Sequence, residues 1–349
     1  MEVDVAAKPL LIGFSALTAV VVWAVIPLIA SRSSVDLLVF TALYSIAGIG
    51  VSFLLGQCGI VSLAQSVFYG IGAYATAYGC VHLGWPAPIS MALGMLISAI
   101  IAWTIAWPIL RLSGFFLALA TLALAIIGQT LFVEWDWITG GTLGTGGIPK
   151  LDFFGWVLST PQRFYYVIWP VLGVILWMHY SLLNSRHGFA MRAMRDAPDA
   201  ALTLGIPVHA LKVRVFVLSA VLGAFAGSLF AHYVTFVSVD SFGVSRGINF
   251  LLIAVLGGAQ TIIGTVFGAL FVTLLPNALS KFGDIHALLF ALLLVATVIY
   301  LPLGFSGALK KLWLKTIKLG QSSDSGQKAE AELRLTSALE PKSKSGNTL

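Results

Sequence analysis

Long apolar runs alternate with short clusters of charge, glycine and proline along the whole chain. The apolar stretches fall at about 10–30, 36–55, 62–83, 87–110, 113–133, 164–183, 213–237, 248–258, 263–279 and 285–303. A helix rises about 1.5 Å per residue and a bilayer crossing takes about 20 apolar residues. Most of the stretches approach that length and predict membrane-spanning helices. The stretch 248–258 reaches only about 16 Å as helix and ends at Gly257-Gly258, ahead of a second glycine-rich helix. It predicts a broken or half-crossing segment. The pattern as a whole predicts an all-α integral membrane protein, a polytopic bundle of about ten segments that includes short or broken helices.

Composition removes the soluble alternatives. Of 349 residues, 58% are hydrophobic and 10% charged, with a mean hydropathy of +0.96. Soluble domains carry about 25% charged residues, so a soluble enzyme is excluded. The longest charge-free run, Leu37 to Leu110, holds 74 residues, enough for about three crossings with their turns. The net charge of +6 comes from cations clustered between apolar runs, which does not make a nucleic-acid surface. Cys58 and Cys80 both sit in apolar context and read as buried thiols. The first apolar stretch exceeds a signal-peptide core and lacks a small-residue cleavage site, so it reads as a retained span.

Lys and Arg are retained on the cytoplasmic side of membrane proteins. With the N-terminus inside, the inner flanks hold Lys8, Arg111, Arg186, Arg192, Arg195, Lys212, Arg214, Lys310, Lys311, Lys315 and Lys318. The outer flanks hold Arg32, Lys150, Arg163, Arg246 and Lys281. That excess predicts ten passages with both termini in the cytoplasm, provided the short segment counts as a crossing. Residues 134–163 then form an external loop and 184–212 an internal one. Residues 1–318 make up the membrane domain. From 319 to 349 the composition turns to Ser, Gly, Lys and Glu, a mixture expected to stay disordered.

Several chemistries are missing. No Gly-Lys dipeptide occurs, so there is no phosphate-cradling loop for ATP. The expected spans carry no carboxylate in their interiors, and His82, His179 and His232 fall near span ends; a charged ion relay is disfavoured, while Na⁺ held by backbone carbonyls stays open. The histidines show no H-x-x-x-H or H-E-x-x-H pair, so no metal site is expected. Gly243-Val-Ser-Arg-Gly247 matches the G-x-S-x-G nucleophile elbow, whose geometry needs a strand before the serine; a short loop between spans is expected instead. The glycine-rich run 140–147 lacks a feeding strand and reads as a mobile external loop.

What remains is one distinctive loop and a set of packing columns. Ser185 to Pro207 reads SRHGFAMRAMRDAPDAALTLGIP. Asp196 is expected as an N-cap, Pro198 in the first turn, Asp199 at the third position and Gly205 as the stop. The predicted helix, about Ala197 to Leu204, presents Ala200, Ala201 and Leu204 beside Arg192 and Arg195. Such a helix either lies on anionic lipid or docks a cytoplasmic partner. Small residues recur four apart at Ser62, Ser66 and Gly70, at Ser219, Gly223, Gly227 and Ala231, and at Gly264 and Gly268; with Gly257 and Gly258 they predict close helix packing. Uncharged polar residues beside them, Gln57, Gln65, Gln129 and Asn249 together with Ser62, Ser66 and Tyr69, line a passage or bond between helices.

Four stretches together resemble the permease subunits of ABC importers for branched-chain amino acids, of the LivM type. They are Gly56 to Tyr74 (GQCGIVSLAQSVFYGIGAY), Thr139 to Pro149, the internal loop with Gly188, Arg195, Asp196, Ala200, Ala201, Gly205 and Ile206 at matching places, and Leu256 to Ala269 (LGGAQTIIGTVFGA). The chain departs from the family pattern at Ala64, where glycine is usual, and at Ala259-Gln260. The resemblance implies an ABC importer permease fold without catalytic residues or cofactors. It implies a heterodimer with a second, LivH-like permease subunit, two cytoplasmic ATPase subunits and an external substrate-binding protein. It also implies that Gly188, Arg192, Arg195, Asp196, Asp199, Ala200, Ala201 and Gly205 belong to a coupling region seated on an ATPase. Urea, amides or aromatic acids are the alternative cargo, and an ion-coupled carrier is the alternative class.

Overall fold

The computed structural model describes residues 29–153 and 156–280, with isolated positions between Trp23 and Pro27 and between Ile285 and Gly304. Apart from those positions, the spans expected at 10–30 and 285–303 and the tail 319–349 lie outside the described residues. Helix α1, Arg32–Ser52, starts at the Ser31 cap, whose hydroxyl accepts from the Ser34 N–H at 3.3 Å. Sequence alone put this start at 36. The earlier start brings Asp36 inside the helix, where the Tyr233 hydroxyl donates to its carboxylate.

One π turn, Phe53–Gln57, extends α1. The chain then leaves through Gly59 at φ +68°, with Ile60 N–H bonded to the Leu54 carbonyl at 2.9 Å. Helix α2 follows at Gln65–Val81, three residues later than expected. Ser62 therefore lies in the preceding loop and does not share a helical column with Ser66 and Gly70. The loop is pinned there by the Leu63 N–H, which donates to Thr121 Oγ1 at 3.2 Å.

Helices α3 (Ala87–Ile109) and α4 (Gly114–Glu134) lead to the one-turn α5 (Asp136–Thr139) and two short strands, β1 (Thr145–Gly146) and β2 (Asp152–Phe153). Strand β3 (Trp156–Val157) pairs antiparallel with β2 and precedes α6 (Pro161–Leu183). Helices α7 (Arg186–Asp196) and α8 (Pro198–Thr203) form the 184–212 loop. They are followed by α9 (Val208–Val234), β4 (Phe236–Val237), α10 (Val244–Gly257) and α11 (Gly264–Leu279).

The segment expected at 248–258 is longer than its apolar run. With the 3-10 turn Val239–Phe242 it spans Val239–Gly257, 19 residues. Polar Ser245 and Arg246, with Gly243 and Gly247 around them, hide its first turns from a hydropathy count. The break itself stands where the glycines are: Gly258, at φ +92°, ends α10 before α11 begins.

Burial divides the helices into a centre and a rim. Of the most apolar windows, 78% is buried in the α1 span and 67% in α9, against 33% in α3 and 28% in each of α4 and α6. Helix α9 packs on α1, α2 and α3, while α10 and α11 pack on each other and on α1. The rim helices expose large apolar side chains such as Leu96, Ile100, Trp103, Ile127 and Trp177. Six helices among the described residues are long and apolar enough to cross a bilayer, and these exposed faces are the ones suited to acyl chains.

Candidate coupling loop and bundle interior

The 184–212 loop sits against the bundle through named contacts. An added Cβ at Gly188 would strike the Leu182 and Leu183 carbonyls, so only glycine lets α7 fold back onto the end of α6. Arg192 donates to the Leu183 carbonyl at 3.1 Å, with its guanidinium 4.8 Å from the Phe189 ring centre. Met191 and Met194 are buried beneath α7.

Asp196 does not cap α8. It is the last residue of α7, and Ala197, at φ −150°, occupies the cap position, which moves Asp199 one place nearer the helix start. The Asp196 carboxylate is instead taken by Arg195, at 2.9 Å to Nε and 2.8 Å to a terminal nitrogen. The stop at Gly205 is present in full: its φ is +78°, its N–H bonds the Leu202 carbonyl, and Ile206 N–H bonds Ala201, each at 3.0 Å. Ala201 points into the bundle and is buried, whereas Asp199 and Ala200 are exposed. The apolar surface of α8 is thus Leu202 and Leu204, 56% and 77% exposed, with Phe189 of α7 also open.

Arg195 joins this loop to the core. Its guanidinium donates to the Gly56 carbonyl at 2.6 Å, at the end of the π turn. On the other side of Gly56 lies the α10–α11 connection: a Cβ there would collide with the Ala259 backbone, and Ser52 Oγ donates to the Ala259 carbonyl at 2.7 Å. The 184–212 loop, α1 and the helix break therefore meet at one glycine. Cys58, just beyond the span, is buried beside them; burial pushes its thiol up to about 12, against a weaker pull from Lys212 and Arg195.

The polar residues proposed for a passage separate into different places. Gln65 is a clamp between three helices: its amide donates to the Ala47 and Ser219 carbonyls at 3.1 Å each and accepts from Ser219 Oγ at 3.0 Å. Ser66 and Tyr69 are fully buried, with hydroxyls that have no hydrogen-bond partner. The Tyr69 ring lies among Phe230, Phe242 and Phe250. Gln129 accepts from the Val244 N–H at 3.4 Å, bridging α4 to α10, and Gln57 is buried in the π turn. Asn249 faces a separate cavity between α1, α10 and α11.

The small-residue columns sit where backbones nearly touch. A Cβ at Gly227 would strike the Tyr69 carbonyl, and one at Gly268 the Ile253 carbonyl. Gly257 and Gly264 face each other's backbone, Gly223 faces the Gln65 amide and Gly70 the Phe132 ring. Gly258 serves the turn instead.

The glycine-rich stretch after α4 is tied down, not loose. Thr139 Oγ1 donates to the Phe132 carbonyl at 2.7 Å, Thr145 Oγ1 donates to the Thr139 carbonyl at 2.8 Å, and β1 pairs with β4. His232 Nδ1 lies 2.7 Å from the Pro149 carbonyl. Threonines spaced among the glycines were the available signal. At the G-x-S-x-G match, a 3-10 turn leads directly into Gly243, which caps α10, so Ser245 lies in a helix and not in the loop expected there. Arg246, expected on an outer flank, instead stands within the Val239–Gly257 span and donates to the Tyr44 hydroxyl at 2.9 Å.

Fold and site define a multi-pass helical membrane protein whose 184–212 loop is bonded to its central helix. The model of the family described as "Branched-chain amino acid transport system / permease component" matches residues 33–301, and the chain belongs to that family. It is 31% identical, over 80% of its length and 71% of the relative's, to the high-affinity branched-chain amino acid transport system permease protein LivM of Salmonella typhimurium. The LivM of Escherichia coli K12 is 30% identical over the same shares. The autoinducer 2 import system permease protein LsrC of Escherichia coli O9:H4 is 26% identical over 76% of this chain and 78% of its own. No solved structure is significantly similar to the chain.

Proposed function

We propose that this chain is the LivM-like membrane subunit of an ABC importer that carries branched-chain, hydrophobic amino acids inward. The observation that carries the reading is the family match over 33–301 together with LivM relatives at 30–31% identity. A second, LivH-like permease subunit completes the pathway, two cytoplasmic ATPase subunits supply the energy, and an external binding protein delivers the substrate. The chain performs no chemistry of its own. Residues 1–318 form the permease domain and 319–349 a tail, with both termini in the cytoplasm as the Lys and Arg distribution favours.

Transport proceeds by alternating access. ATP closes the ATPase dimer, which pushes on α7 and α8 through Leu202 and Leu204. Arg195 passes that displacement to Gly56, and Gly56 abuts Ala259 at the α10–α11 break. A cytoplasmic push thereby reaches both the central helix and the broken pair, the elements best placed to open or close a path. The LsrC likeness favours a second reading in which the cargo is another small polar solute of the same permease group.

The test is reconstitution of this chain with its co-expressed permease, ATPase and binding-protein partners in proteoliposomes. ATP-dependent leucine uptake, stimulated by the binding protein and insensitive to collapse of ion gradients, is the expected result. Uptake that runs on an ion gradient without ATP would overturn the assignment.

A further inference from the structure

Arg246 stands in the first turn of α10, within the Val239–Gly257 span, at the end of the bundle that carries the 134–163 loop. A guanidinium offers five N–H donors and is always charged. Here one terminal nitrogen donates to the Tyr44 hydroxyl at 2.9 Å and Nε donates to the Ser241 carbonyl at 3.3 Å. The cation also lies 5.1 Å from the centre of the Tyr44 ring. All these partners are neutral. The only ion pair among the described residues is Arg195–Asp196, at the opposite end of the bundle. An ionisable side chain inside a membrane segment is costly to keep, and it marks a pathway when its countercharge is not built in.

Arg246 opens onto a cavity of about 250 Å³ between α1, α10 and α11, close to the lower end of ligand pockets, about 300 Å³. Two neutral polar groups share it. Asn249 lies one turn along α10, and Thr273 of α11 has a buried hydroxyl without a hydrogen-bond partner. Phe40, Phe250 and Ile253 supply an apolar wall. Cation, neutral donors and acceptors, and hydrocarbon wall match the carboxylate, ammonium and aliphatic side chain of a zwitterionic amino acid.

We propose that Arg246, braced by Tyr44, is the carboxylate subsite of the translocation path, with Asn249 and Thr273 beside it and the Phe40–Phe250 wall receiving the aliphatic side chain. The proposal rests on the importer reading above and adds the residue that recognises the substrate class. Guanidinium and carboxylate form the strong, charge-assisted kind of hydrogen bond. A lone cation among neutral partners holds such a ligand while still letting it leave, which conduction requires.

The experiment uses the reconstituted four-component complex with leucine and ATP. Arg246→Gln lowers uptake on the order of tenfold or more, while co-purification and ATP hydrolysis persist. Arg246→Lys, which keeps the charge, retains a larger part of the uptake. Thr273→Val removes a hydroxyl that bonds nothing in the protein, so assembly is unaffected and a several-fold loss of uptake reports contact with substrate. Wild-type uptake in Arg246→Gln, or in Thr273→Val where the glutamine variant does not assemble, overturns the subsite. So does an equal loss of uptake and ATP hydrolysis in Gln and Lys variants alike, which marks a structural arginine. Absence of ATP-driven leucine uptake by the unmodified complex overturns the importer reading, and the subsite with it.

Discussion

The guanidinium of Arg195 donates a 2.6 Å hydrogen bond to the carbonyl of Gly56, linking positions 139 residues apart. The two ends of this contact differ in weight. Arg195 also pairs with Asp196, but that carboxylate is 64% exposed, and exposed pairs contribute about 0–1 kcal/mol. A hydrogen bond from a charged donor to a mostly buried carbonyl contributes more, about 1.5–3 kcal/mol. The Gly56 end is therefore the stronger of the two contacts that Arg195 makes.

Arg195→Ala, alone or with Asp196→Ala, uncouples the importer. ATP hydrolysis by the assembled complex continues while leucine uptake falls several-fold, and Asp196→Asn alone changes little. Parallel measurement of phosphate release and uptake in proteoliposomes checks this; uptake at the wild-type ratio to hydrolysis in Arg195→Ala would remove the coupling role.

Leu204, which caps α8, is 77% exposed and Leu202 56%. Phe189 of α7 is exposed as well, and apolar side chains of this kind suit burial under a partner. Leu204→Asp leaves the permease folded in detergent and reduces co-purification of the ATPase subunits on the order of tenfold or more, since truncation at interface anchors costs at least about 2 kcal/mol. Undiminished co-purification contradicts docking through this face.

Two glycines in helix interiors have opposite surroundings. Gly227→Ala drives a methyl into the Tyr69 carbonyl, and overpacking of this kind costs about 1–3 kcal/mol. Gly173 of α6 has open space around it, so Gly173→Ala gains about 0.5–1 kcal/mol from helix propensity. Thermal unfolding in detergent should show Tm lowered by the first substitution and raised by the second; an unchanged or raised Tm in Gly227→Ala argues against the close α2–α9 approach.

Cys58 is 5% exposed, with its thiol pushed up to about 12. Only the thiolate is nucleophilic, so at pH 8 a fraction of about 10⁻⁴ is reactive. Alkylation by iodoacetamide is accordingly slow at pH 8 and rises about tenfold per pH unit toward pH 11, as long as the fold holds. Mass spectrometry of the Cys58 peptide reads the rate directly, and rapid labelling at pH 7 would show that the α1 end is open to water.

The loop between α6 and α9 shows how far local patterning reaches. Its helix stop is complete in the sequence, because Gly205 is the residue that adopts φ +78° without strain and the bonds it completes are local. Its start is not, because the Asp196 carboxylate found the Arg195 guanidinium in preference to the N–H groups of α8. Hydropathy likewise locates α1 and α9 but counts α10 short, since Arg246 is a charged residue with a partner and a cavity inside the bundle.

The amino-acid order by itself determines that the chain is a bundle of membrane helices, and roughly where its helices and loops fall. Those properties depend on local apolar runs and on motifs read along the chain. The tertiary structure alone decides which polar groups meet. Gln65 reaches Ser219 across 154 positions, Arg195 reaches Gly56 across 139 and Arg246 reaches Tyr44 across 202. Inside a bilayer a polar group has no water to fall back on, so its role follows from the neighbour that packing brings to it.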